Sequence, residues 1–415
     1  MTGRPKLAQM AWRNLWRNRR RTVLTLSSIA FGVLLAVLFT AIQDRNWAET
    51  IDLAARMQAG HVTIQHADYL DNPMLAKSIQ ETKRLMKRAL SDPNVRRAVV
   101  RVSGETMLRT AKGSYGAAFI AFDPAAEDPD SLSFLEGIQG AGFESSDDDG
   151  IVLGETLARN LKVELGKKVI YTLVDKQGEI TSGMGRLRGV VRSGAPGVDA
   201  GLCLLPIDTI RKLVGYGPDE ATQVALFLDD ARRSSDVAAR LEPDLPRPAT
   251  ALGWEESQPQ LAGFIALKVG GARVMEIVIA LLVAAGIFNT LFVSVMERMR
   301  EFGILMAIGY SPGQLFRTVL WESVWLGMVG LLAGAAVTAW PYFYLAEHGL
   351  DMSAQMGSET LEVAGVGMSS IIKVGIYPEN AVMIGLAVLL ATVLAGLFPA
   401  IRAGRVQPVE SIKLV

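Results

Sequence analysis

The chain has 415 residues, half of them hydrophobic and a fifth charged, with a mean hydropathy of +0.27 that is high for a soluble protein. Its 42 lysines and arginines balance 42 aspartates and glutamates, which leaves no basic surplus of the kind nucleic-acid binding requires. The one cysteine, Cys203, excludes an intramolecular disulfide and a cysteine metal cluster, and reads as a small apolar residue in a strand.

Lys6 to Arg21 reads as an amphipathic helix, closing a segment 1–21 that lies on the membrane. Leu7, Ala8, Ala11, Trp12, Leu15 and Trp16 share one face, while Arg13, Asn14, Arg17 and Asn18 lie mostly on the other, toward phosphate. A signal peptide is the wrong reading, because the apolar run that follows is too long and lacks a small-residue cleavage site. That run, 22–43, is uncharged up to Ile42 and long enough to cross a bilayer core. Three more spans are expected at 272–296, 318–346 and 380–401.

Lysine and arginine placement sets the orientation. Seven basic residues and no acidic ones occupy the first 21 positions, Arg298, Arg300 and Arg317 follow the second span, and Arg402, Arg405 and Lys413 follow the fourth. The 347–379 loop offers only Lys373 against Glu347, Asp351, Glu359, Glu362 and Glu379. Both termini, the tail 402–415 and the 297–317 loop are therefore expected in the cytoplasm.

Residues 44–271 form a mixed α and β block outside the membrane. Gly60–His66, Val95–Leu108 and Tyr115–Phe122 alternate as strands, and Lys77–Leu90 reads as a basic helix with Ile79, Thr82, Leu85, Met86 and Leu90 inward. Asp147, Asp148 and Asp149 lack the spacing of a calcium loop and read as a solvated turn. Further elements are expected as a strand running into a helix at Ile151–Ala158, a turn and strand at Leu165–Tyr171, and strands at Leu187–Val191, Leu202–Leu205 and Thr222–Leu228. Pro206 opens one helix, Ser234–Leu241 forms another, and Glu255–Gly271 reads as a stalk helix. The block divides into a discontinuous subdomain, about 60–125 and 205–255, and an inserted β-rich one, about 126–204.

The loop 297–317 stands apart. Charges come first, at Glu297, Arg298, Arg300 and Glu301. Then comes an apolar block, Phe302, Gly303, Ile304 and Leu305, which Gly309 closes as a left-handed helix end. Ser311, Pro312 and Gln314 spell a capping box that restarts the chain. A short helix pinned between two spans suits a lever for a partner. Glu322, inside an apolar run, is a functional candidate that can also snorkel or meet Arg317. Gly327, Gly330 and Gly334 give the third span a small-residue face for packing within the chain or across a dimer seam. No Gly-x4-Gly-Lys-Ser/Thr occurs, and His61, His66 and His348 lack metal-ligand spacing.

The pattern Glu-Arg-x-x-Glu-x-Gly-Ile-Leu-x-Ala-x-Gly at 297–309 resembles the coupling loop of FtsX-like and MacB/LolE-like permeases, the membrane subunits of mechanotransmission-type ABC transporters. Trp12-Arg13-Asn14-Leu15-Trp16-Arg17-Asn18 resembles their opening. Gly154-Glu155-Thr156-Leu157-Ala158 with Leu165 to Val169 resembles the MacB-like periplasmic core. The family often carries a basic residue where this chain has Met306. The resemblance implies four transmembrane helices with an α+β periplasmic domain of MacB-core type, whose discontinuous subdomain is porter-like, and an FtsX-like permease domain over about 272–410. It also implies a bacterial inner-membrane location. No catalytic residue, metal or cofactor is expected on this chain, with ATP and magnesium held by two copies of a separate cytoplasmic ABC ATPase. A second permease subunit, identical or different, completes the dimer. Glu297, Arg298, Glu301, Phe302, Gly303, Ile304, Leu305 and Gly309 would couple to the ATPase. Among branches, the Trp-Arg-Asn opening and Gly60-His61-Val62 look most like lipoprotein-release permeases of the LolC/LolE type. Val33, Val37 and Phe39, opposite Ile287, Phe288, Leu291 and Phe292, would then hold a lipoprotein's acyl chains. Pro196, Val198 and Asp199, in the Ser193–Gly201 loop, would meet a periplasmic carrier or adaptor. A MacB-like export permease and an FtsX-like regulator of a cell-wall hydrolase are the alternatives.

Overall fold

The computed structural model describes residues 7–352, 362–363, 366–367 and 371–405. Arg4, Lys6, Glu359, Lys413 and most of the expected tail lie outside the described residues. The chain folds as two units. One takes the described residues within 7–46, 267–351 and 371–405; the other takes 47–266 with the short strand pair at 362–367.

The N-terminal amphipathic helix is shorter than its pattern. Helix α1 spans Leu7–Leu15, and Arg19 already belongs to α2, Arg19–Met57. The break is hydrogen-bonded: Arg17 N donates to Asn14 O at 3.2 Å, and the Thr22 hydroxyl donates to Leu15 O at the end of α1.

In the second unit the chain runs through β1 (Val62–His66), β2 (Ile79–Gln80), α3 (Thr82–Ala89), β3 (Val95–Thr110) and β4 (Gly113–Phe122). It continues through β5 (Ile138–Gly140), β6 (Gly150–Gly154), α4 (Glu155–Asn160), β7 (Lys168–Val174) and β8 (Ile180–Val191). Then come α5 (Pro196–Asp199), β9 (Leu202–Pro206), α6 (Ile207–Val214), β10 (Glu220–Ala221), β11 (Gln223–Leu228), α7 (Ser234–Leu241), β12 (Ala249–Gly253) and α8 (Trp254–Ser257). The main sheet has the order β12-β1-β11-β3-β4-β9-β6-β8-β5, with β7 joining β3 to β8. Two cores flank it. Val62, Ile64, Leu85, Val224, Leu226 and Leu241 fill one, under α3 and α7. Phe119, Leu153, Leu157, Leu205 and Ile210 fill the other, under α4 and α6. The second core draws side chains from both sides of the 125/126 and 204/205 limits. Cys203 is buried within it.

Two readings change here. The helix expected over 77–90 starts only at Thr82, because Glu81 takes a φ of 58° and Ile79 pairs with Ala221 as a strand; Leu90 is exposed. The acidic turn is solvated at Asp147 and Asp149, which are exposed, but not at Asp148. Asp148 is buried, accepts from Gly150 N at 2.7 Å and Glu144 N at 2.9 Å, and pairs with Arg188 at 3.1 Å.

The first unit is completed by α9 (Pro259–Glu297), α10 (Met299–Ala307), α11 (Pro312–His348) and α12 (Pro378–Gly404), after the short strands β13 to β16 at Leu350–Asp351, Glu362–Val363, Val366–Gly367 and Ile371–Ile372 are set aside. Helices α2, α9, α11 and α12 are long and apolar enough to cross a membrane. Small residues bring them together within this chain. A Cβ on Gly330 would lie 2.6 Å from Ile29, one on Gly334 2.7 Å from Val33, and one on Gly396 would fall on Ser323. The third-span glycines therefore pack against the chain's own helices. At the other end Asp44 accepts from Asn380 Nδ2 at 2.8 Å and Tyr377 N at 3.1 Å. Helix α9 is the least covered of these four helices.

Candidate functional site

The expected short helix forms. Helix α9 ends at Glu297, α10 runs for nine residues, and Gly309 takes a φ of 104° that a side chain would resist. Both halves of the capping box are present: Ser311 Oγ accepts from Gln314 N at 3.3 Å, and Gln314 Oε1 accepts from Ser311 N at 2.8 Å. Phe302 and Gly303 face inward. Phe302 is buried with Val295, Leu315, Val319, Ala400 and Ala403. Leu305 is half-buried against that cluster, whereas Arg300, Ile304, Ala307 and Ile308 form the exposed face. The apolar block thus splits into an anchor and an outward surface.

The charges from Glu297 at the end of α9 to Glu301 in α10 are organised by the N-terminal segment, whose arginines were expected to face lipid phosphate. Arg17 pairs with Glu301, and Arg21 pairs with Glu297. Glu322 accepts from Asn14 Nδ2 at 3.0 Å and from Arg298 Nη1 at 3.0 and 3.1 Å, so its partner is Arg298 rather than Arg317. Arg298 also donates from Nε to Glu301 at 3.4 Å and lies 5.1 Å over the Phe302 ring. Burial alone would raise the Glu301 carboxyl, but Arg17 and Arg298 outweigh it and hold it below the usual range. Trp325 Nε1 donates to Ala8 O at 3.1 Å, and Trp12 packs edge-on against Trp325, which fixes α1 to α11. The contribution of the 7–21 segment to this site was missed. Its one sequence signal is the matched four-residue spacing of Arg17/Arg21 and Glu297/Glu301.

The other candidates are less gathered. Val33, Ile287 and Leu291 are buried in a core with Ile29 and Leu326. Val37 and Phe39 are half-buried, and Phe288 and Phe292 stack at 5.8 Å beside Phe398, with Phe288 exposed. Pro196, Val198 and Asp199 form the four-residue helix α5. Asp199 is buried and accepts from Ser193 N at 3.0 Å, so it holds its own loop; Pro196 is exposed and Val198 half-buried. Among the described residues no cluster of three or more metal-ligating side chains occurs.

Comparison with known proteins identifies the two domains by sequence. Residues 22–244 match the model of the MacB-like periplasmic core domain, and 273–408 match the FtsX-like permease C-terminal model. The chain is 25% identical over 398 residues to the lipoprotein-releasing system transmembrane protein LolC of Xylella fastidiosa (strain 9a5c), covering 93% of this chain and 92% of that one. It is 23% identical over 395 residues to the LolE counterpart of Haemophilus influenzae, covering 92% of each. Identity to the macrolide export ATP-binding/permease protein MacB of Hyphomonas neptunium is 25% over 421 residues, or 97% of this chain but 60% of that protein.

Proposed function

Because the chain belongs to the family of ABC transporter permeases that join a MacB-like periplasmic core domain to an FtsX-like permease domain, we propose that it couples ATP hydrolysis by a separate cytoplasmic ATPase to motion of its 47–266 unit. In this reading the chain sits in a bacterial inner membrane with both termini and α10 in the cytoplasm. The chain itself is not catalytic. Two permease subunits and two ATPases, which hold ATP and magnesium, make up the machine. The observation that carries the reading is α10 itself: a short helix anchored by Phe302, braced at Glu301 by Arg17 and Arg298, and left with an apolar outer face at Ile304 and Ile308. A surface so braced and uncovered suits a protein groove.

The cargo we propose is a lipoprotein, drawn from the inner membrane for transfer to a periplasmic carrier. Likeness to LolC and LolE over nine-tenths of both chains supports it. Acyl chains would enter beside the sparsely covered α9, against Phe288 and Phe292 and, from a neighbouring subunit, Val37 and Phe39. Each buried methylene contributes about 0.8 kcal/mol, so tails outweigh polypeptide sequence in recognition. An export permease is the second reading, supported by the MacB likeness over 97% of the chain. Photo-crosslinkers at Val37 and Phe288, in cells, separate the two. Capture of a mature lipoprotein that fades when ATP is supplied supports release. Adducts only to phospholipid, or only to an adaptor through the 47–266 unit, overturn it and leave export.

A further inference from the structure

Helix α2 ends in the second unit, where several contacts hold its end. Gly60, at a φ of 82°, donates to Ala55 O at 2.9 Å, and a side chain there would strike the backbone of Leu226. His61 N donates to Leu226 O at 2.8 Å. The carbonyl of Gln58, one of those that a helix end leaves without an internal partner, is taken by Arg101 Nη1. A cation is favoured there by the helix dipole as well.

Arg101 rises from the middle of β3 and is fully buried. Four hydrogen bonds hold its fork, the one to Gln58 included. Nε donates to Glu127 Oε1 at 2.7 Å, Nη2 donates to Glu127 Oε2 at 3.1 Å and to Ser131 O at 2.7 Å, and Phe227 lies under the guanidinium at 5.8 Å. A buried ion pair of this kind is weak evidence for stability, because desolvation offsets most of the attraction. What it does supply is a fixed distance between three pieces of chain: the end of α2, strand β3 and the 127–131 loop. Three residues beyond that loop, Phe134 lines a cavity of about 550 Å3 that Met57, Gln58, Ala59 and Val198 also line.

We infer that Arg101 is a positioning residue that gears this cavity to the first membrane-spanning helix, so that displacement of α2 changes the cavity's aperture. The inference rests on the permease reading, in which ATP binding moves the spans. Arginine is required because a lysine, with one ammonium on a flexible stem, cannot bridge a carboxylate and two carbonyls in fixed planes.

The test uses the full chain with its co-purifying ATPase in nanodiscs, in a Cys203→Ala background with Val198→Cys as reporter. Maleimide labelling is timed with ADP and with ATP plus vanadate. With Arg101 present, nucleotide should change the labelling rate at least about fivefold. Arg101→Met with Glu127→Met removes both charges together, and such a replacement of a buried pair is often tolerated by the fold. In that double variant ATP hydrolysis and the thermal midpoint should persist while the nucleotide effect falls below about twofold. Should it fail to fold, Arg101→Lys is read by the same two measurements and should show a reduced nucleotide effect. A variant that folds and keeps the full effect overturns the gearing alone and leaves Arg101 as a core ion pair. No nucleotide effect in the parent overturns the permease reading, and the gearing with it.

Discussion

Arg298 reaches across from the start of the short helix to Glu322 in the following span, donating through Nη1 to both carboxylate oxygens at 3.0 and 3.1 Å. Both side chains are largely buried, and Asn14 completes the shell from α1. Glu322→Gln keeps an acceptor for Asn14 but leaves the guanidinium facing a neutral amide. It should cost about 1.5–3 kcal/mol, seen as a lower thermal midpoint in detergent. Replacing Arg298 and Glu322 together by Met should recover most of that loss, and a double variant as unstable as the sum of the two singles would contradict the pairing.

The two faces of α10 predict opposite phenotypes. Ile304→Asp should leave the thermal midpoint unchanged while abolishing co-purification of the ATPase, since a carboxylate would be desolvated in the groove. Phe302→Ala opens a cavity in the anchor and should cost about 3–5 kcal/mol of stability before any effect on docking. An Ile304→Asp chain that retains its ATPase would remove α10 as the lever.

Small-residue packing is tested by two glycines. Gly334→Ala places a Cβ against Val33 and should destabilise the spans, whereas Gly286→Ala meets open space and gains helix propensity of about 0.5–1 kcal/mol. Equal midpoints for the two variants would mean that α2 and α11 do not pack closely.

His61 makes the 47–266 unit sensitive to acid. Burial lowers its pKa from 6.5, with Arg96 and Arg56 adding to the shift and Asp52 and Asp230 opposing it. Nδ1 accepts from Leu228 N at 3.1 Å, so the ring is held neutral. A histidine depressed in the folded state contributes fully above pH 6.5 and loses that contribution as pH falls below it. Asp92, held at about 2 chiefly by Arg240, acts only below its ordinary 3.8 and does not compete in this window. The thermal midpoint should therefore drop between pH 7.5 and 5.5, by the equivalent of up to about 1.4 kcal/mol. His61→Asn, which keeps an acceptor for Leu228, should flatten the profile; an unchanged slope would refute the assignment.

What the sequence made readable was what depends on near neighbours. The four apolar helices follow from run length, and the Ser311–Gln314 box lies within three residues. The Arg17–Glu301 pair joins positions 284 apart, and an amphipathic face of arginines reads equally well toward phosphate. Ile79, Thr82 and Leu85 fit a helical stripe, yet Glu81 in a left-handed conformation breaks it without a glycine to announce the turn. Strand β12 passed unnoticed because Ala249, Ala251 and Gly253 carry little β-propensity and are recruited by pairing with β1. Asp148 was misjudged for a related reason: composition cannot tell an acid that holds its turn from one that faces water.

The two helices that lead into and out of the 47–266 unit, α2 and α9, are each 39 residues long and run without interruption. An unbroken helix keeps phase as well as length. Losing one residue between 44 and 57 would rotate the preceding part of α2 by about 100° and shift it by about 1.5 Å relative to Gln58 and the guanidinium that receives its carbonyl. Insertions and deletions in these two stretches should therefore be scarce over evolutionary time, and should come as matched changes in both when they come. Anyone grafting this outer unit onto another membrane base inherits the same rule: the junction must be cut in whole turns.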